Sequence, residues 1–107
     1  MKIYAIPENA DQPAAFEVSN ITLSRTRACR IVEAIAGTQI LKRPAAFSWF
    51  REPVFCKFEL DGQKFEIEEP FGDSSRFWIG PASTGNNQRI LKWHPATDKV
   101  RHAFSFA

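Results

Sequence analysis

Val54-Phe55-Cys56-Lys57-Phe58-Glu59-Leu60-Asp61-Gly62-Gln63-Lys64-Phe65-Glu66-Ile67-Glu68 is the stretch that decides how this chain folds. Asp-Gly is a favoured pair for a two-residue type I′ turn, where both central residues take positive φ. With Asp61 and Gly62 in the turn, Leu60 faces Gln63, Glu59 faces Lys64, Phe58 faces Phe65, Lys57 faces Glu66 and Cys56 faces Ile67. Side chains alternate faces along a strand. One face therefore carries Cys56, Phe58, Leu60, Phe65 and Ile67, and the other Lys57, Glu59, Lys64 and Glu66 with opposite charges across from each other. A one-residue slip would turn the apolar row to solvent and lose the charge matching. The turn chemistry and the hydrophobic pattern thus select one β-hairpin register.

Downstream, Glu68–Ser75 turns the chain, and Arg76-Phe77-Trp78-Ile79-Gly80 reads as a third strand of a meander, stopped by Pro81. Phe77 and Ile79 share one of its faces, Arg76 and Trp78 the other. Upstream, Thr38–Lys42 reads as a strand ended before Pro44. Residues 24–36 form the main predicted helix: Ser24 is an N-cap candidate, with Thr22 or Asn20 able to serve as well, Ala28, Ile31, Val32 and Ile35 make one apolar stripe, and Gly37 follows as a C′ glycine. Residues 2–6 and 16–18 read as short strands, the first at an edge. Residues 97–106 are read as a helix capped by Thr97 or Asp98 with Val100, Ala103 and Phe104 as its stripe. The alternative is a strand in which Val100, His102, Phe104 and Phe106 alternate. The expected fold is a small two-layer α+β domain: a mostly antiparallel sheet built on the meander 54–80, with helix 24–36 and the C-terminal segment packed on it.

The totals fit one domain, residues 1–107, able to bury a core without staples. Apolar residues make up 44% and aromatics 13% of the chain, a globular balance. Fourteen basic residues against twelve acidic leave a net charge of +2, which by itself points neither to nucleic acid nor to a membrane. No apolar run approaches the roughly 18 residues of a membrane span, and no secretory h-region opens the chain, so the expected location is cytoplasmic. Cys29 and Cys56 fall in no metal or redox spacing and are read as two reduced core thiols. His94 and His102 are eight apart and make no zinc pattern. The glycines are isolated, so no phosphate loop is present. No metal or cofactor is expected.

Function is left to surface chemistry. The first expectation is a small non-enzymatic protein-binding domain, concretely a neutralising (immunity or inhibitor-type) partner of a toxin or enzyme. Trp, Phe and Arg dominate binding hot spots. The candidate contact residues are Trp49, Phe50 and Arg51, consecutive in a proline-bracketed loop, with Asp73, Arg76 and Trp78 around the second turn. If the helix covers one sheet face and the C-terminal segment the other, all three tryptophans are core instead. The alternative is an RNA- or single-stranded-DNA-binding module using Arg25, Arg27, Arg30 and Arg43, since cations beside aromatics suit a single strand. Third is an enzyme with Glu69 and Asp73 as an acid/base pair. A homodimer through an exposed hairpin edge stays open.

Overall fold

The computed structural model describes residues 2–7, 11–19, 23–44, 54–69, 76–82 and 92–106. At its centre is the predicted hairpin, with strand β4 (Val54–Leu60) and strand β5 (Gln63–Glu68) in the expected register from Leu60↔Gln63 to Cys56↔Ile67. Asp61 takes φ 54° and Gly62 φ 80°, as the type I′ turn requires. The Phe58 and Phe65 rings stack at 5.1 Å between centroids. Such a cross-strand aromatic pair contributes about 0.5–1.5 kcal/mol beyond the area it buries.

The meander continues into β6 (Arg76–Pro81), where Ile79 faces Ile67 and Pro81, rather than stopping the strand, faces Phe65. β2 (Ala15–Ser19) pairs with the far side of β6, and β1 (Ile3–Ile6) closes that end of the sheet. β3 (Gln39–Lys42) closes the other end against β4. Among the described residues the six strands run in the order β1-β2-β6-β5-β4-β3, antiparallel throughout.

The two helices among the described residues lie on one face. Helix α1 (Arg25–Glu33) is capped by Ser24, whose Oγ accepts from the Arg27 N–H at 3.1 Å. It ends before the predicted residue 36: Ile35 and Thr38 donate to the Val32 and Ile35 carbonyls in successive turns, and Gly37 takes φ 88°. Ile35 still packs against the core from this turn. Helix α2 (Pro95–Ser105) settles the choice for residues 97–106 in favour of helix. Its cap is neither Thr97 nor Asp98. His94 Nδ1 accepts from the Ala96 N–H at 3.0 Å, and Pro95 begins the helix, as a proline without an N–H can at a first helical position.

The core lies between the helices and the sheet. Phe58, Leu60, Phe65, Ile67, Ile79 and Val18 meet Val32 of α1 and Val100 and Phe104 of α2, all fully buried. The Phe104 ring stands edge-on to Phe16 of β2, which shares the Ile79 face. Strict alternation would place Phe55 with Lys57 and Glu59. A register shift between Val54 and Cys56 instead lets both Phe55 and Cys56 face inward, as a bulge does. Phe55 then meets Phe77 at 4.9 Å.

The C-terminal segment therefore does not cover the second sheet face. Trp78 is nonetheless buried there, and Trp93 is half-buried. The Trp78 indole lies over Gly80: a Cβ on Gly80 would sit 2.6 Å from Trp78 Cη2 and 2.7 Å from Ala15 Cβ. Two small residues on neighbouring strands make the recess that the indole fills. Glu66, read in the sequence as part of a charged outer row, is also buried on this face.

Candidate protein-binding surface

The edge of the sheet at β1 combines outward-directed backbone, unpaired by any strand among the described residues, with a formed groove. The Ser19 N–H donates to the Lys2 carbonyl at 3.1 Å. In an antiparallel ladder, hydrogen-bonded and non-hydrogen-bonded pairs alternate. With Lys2 opposite Ser19 as a bonded pair, Tyr4 and Ile6 direct their peptide groups to β2, while Ile3 and Ala5 direct theirs outward. Among the described residues no strand pairs with this edge. Ile3-Tyr4-Ala5-Ile6 carries no charge and no bulge, and Pro7 ends the strand. The opposite edge is blunted: β3 has a register shift between Ile40 and Lys42, and Pro44 follows it.

Side chains at the β1 edge present two different surfaces. Ile3 and Ala5 stand on the helix side, opposite Val18 and Phe16. With Asp98, Arg101, His102 and Ser105 of α2 they line a groove of about 860 Å³. Its polar wall is held in place: Arg101 bonds Asp98 at 3.2 Å, and the neighbouring Lys99 bonds Asp61 at 2.7 Å, tying α2 to the hairpin turn. On the other face the Arg76 guanidinium lies 3.7 Å from the centroid of the Tyr4 ring and bonds Glu17 at 3.3 Å. Cation–π contact with a half-exposed ring stabilises such an arrangement by about 0.5–1 kcal/mol.

Of the predicted contact residues, Arg76 is exposed at this edge. Trp78 is two residues along the same face but buried, so its indole supports the sheet rather than offering surface. Trp49, Phe50, Arg51 and Asp73 lie outside the described residues.

The arginines of the nucleic-acid reading are divided. Arg25 bonds Glu69 at 2.6 Å with little of either side chain exposed, and its guanidinium also covers the Phe55 ring at 5.0 Å. Arg43 makes a two-pronged pair with Glu33, one prong at 3.1 Å. The bond from Arg43 holds the Glu33 carboxyl below the ordinary glutamate range. Arg27 and Arg30 stay exposed on α1. Glu69 of the enzymatic reading is the carboxylate that Arg25 engages. No cluster of three or more metal-ligating side chains occurs among the described residues, and none of their helices is long and apolar enough to cross a membrane.

The α2 wall of the groove was not singled out from the sequence. Its signal lies in the α2 spacing, where Asp98, Arg101, His102 and Ser105 recur three and four apart on one helix face. Comparison with known protein families, curated proteins and solved structures finds no match.

Proposed function

We propose that the chain is a small non-enzymatic protein-binding domain, a neutralising partner of a toxin or enzyme being its concrete form. We further propose that it takes an extended segment of its partner as an added strand on β1. The outward-directed peptide groups of Ile3 and Ala5, which no strand among the described residues meets, beside a formed groove are the observation that carries this reading. Main-chain bonds to an edge give affinity, and pockets for alternate side chains give specificity. An added strand would direct alternate residues into the groove floored by Ile3 and Ala5, where apolar side chains fit, and toward Tyr4 and Arg76 on the other face. Of the four arginines of the nucleic-acid reading, Arg25 and Arg43 are already engaged by carboxylates, which leaves Arg27 and Arg30.

Capture from native lysate after nuclease treatment tests the proposal, with Ala5→Pro beside the natural chain. Proline at this position removes an outward N–H and leaves the bonds that Tyr4 and Ile6 make to β2. A partner held by the natural chain and by Arg27→Ala/Arg30→Ala, but released by a folded Ala5→Pro, is the expected result. Equal retention by Ala5→Pro would contradict the edge. Loss on nuclease treatment would move the function to nucleic acid.

A further inference from the structure

Cys29 on α1 and Cys56 on β4 are 27 residues apart in the chain, and their sulfurs are 3.0 Å apart in the core. Both are free thiols and both are buried. This is the one contact between the two layers made by a pair of reactive side chains among the described residues. A disulfide needs its sulfurs at about 2.05 Å, so closure requires a movement of roughly 1 Å. Cys56 faces α1 by ordinary alternation with Phe58 and Leu60, and the bulge adds Phe55 beside it.

We propose that Cys29 and Cys56 are an oxidisable pair, which a low-molecular-weight disulfide converts into an internal disulfide tying α1 to β4. The thiolate of one cysteine attacks the oxidant disulfide, forms a mixed disulfide and releases one thiol. The second cysteine then attacks the protein sulfur of that mixed bond and releases the other. The protein loses two protons and two electrons, and the oxidant takes them up to become two thiols. Cys56 donates its hydrogen bond to Cys29 Sγ, which lowers the Cys29 thiol and makes it the attacking group. The same bond, with burial, raises Cys56. Because both sulfurs are buried, exchange with a bulky oxidant proceeds through local opening or from the unfolded chain. The closed bond is shielded from reductants in the folded state.

The inference is independent of the partner and is tested on the purified chain. The reduced protein is unfolded, refolded in oxidised glutathione, then alkylated under denaturing conditions and weighed. The expected product is a monomer lighter by two hydrogen atoms, with no alkylated cysteine and with Cys29 and Cys56 in one non-reduced peptide. Its Tm should exceed that of the reduced protein by on the order of 10 °C. Cys29→Ala and Cys56→Ala should each lose the mass change and the oxidant-dependent gain in Tm, even where their own stability falls. Two alkylated cysteines, glutathione adducts on both, or an oxidised form with a lower Tm than the reduced one would overturn it.

Discussion

The Trp78 indole occupies the space that a side chain on Gly80 would need, with Cη2 2.6 Å from the position of a Cβ there. Ala15 bounds the same recess from the next strand. A rigid ring held by two small neighbours makes the second sheet face intolerant of a single methyl group. Gly80→Ala should cost about 1–3 kcal/mol, the range for overpacking a filled site. The cost should shrink in a Trp78→Ala background, and a denaturant double-mutant cycle reads the coupling. Additive costs would show that the indole is not what excludes the methyl.

Gly62 tests the hairpin turn by a different mechanism. A Cβ there meets nothing within 4 Å, so its φ of 80° is the whole reason for glycine. Gly62→Ala should destabilise by about 1–2 kcal/mol through backbone strain alone. A D-alanine introduced at the same site by chemical synthesis should be tolerated, since it favours positive φ.

Arg25 and Arg27 sit two residues apart on α1 but should behave oppositely. Arg25→Ala removes an ion pair from a largely buried Glu69 and uncovers Phe55, a loss of roughly 1–3 kcal/mol in thermal or urea unfolding. Arg27→Ala removes an exposed side chain and should stay within about 0.5 kcal/mol. Equal small effects would return Arg25 to the free surface that a nucleic-acid reading requires.

The Glu33–Arg43 pair gives a pH dependence of defined sign. The folded Glu33 carboxyl lies below the ordinary glutamate value because Arg43 bonds the ionised form. Its contribution to stability is therefore present above the unfolded-state pKa and disappears as pH falls through the folded one. Carboxyl NMR titration should place Glu33 below the ordinary glutamate value, and Arg43→Ala should raise it toward that value. An unchanged midpoint in that variant would contradict the assigned cause.

These contrasts also show where sequence reasoning reached. The hairpin was legible because two patterns, Asp61-Gly62 turn chemistry and the alternation of apolar and charged residues, demanded one register. The existence of α1 followed from its stripe and from Ser24. Its end did not, because Ile35 keeps apolar periodicity while its backbone has already left the helix. The cap of α2 was missed because a histidine supplies an acceptor usually given by Ser, Thr, Asp or Asn. The bulge at Phe55 breaks the period-two rule on which facing was assigned. The candidate surface was half legible: Arg76 and an edge strand at residues 2–6 were read, but their meeting across β2 depends on sheet order. Cys29 against Cys56 and Arg25 against Glu69 likewise join residues that no local pattern links.

Amide hydrogen exchange of β1 in the dilute, partner-free protein tests the central claim most directly. A free edge predicts that the Ile3 and Ala5 amides exchange much faster than that of Tyr4, whose N–H is directed to β2. Protection of Ile3 and Ala5 should then appear when a captured partner is added, or with rising concentration if the occupant is a second copy. Equal protection of Ile3, Tyr4 and Ala5 in the dilute protein would mean that the edge is already satisfied, and would contradict strand addition at β1.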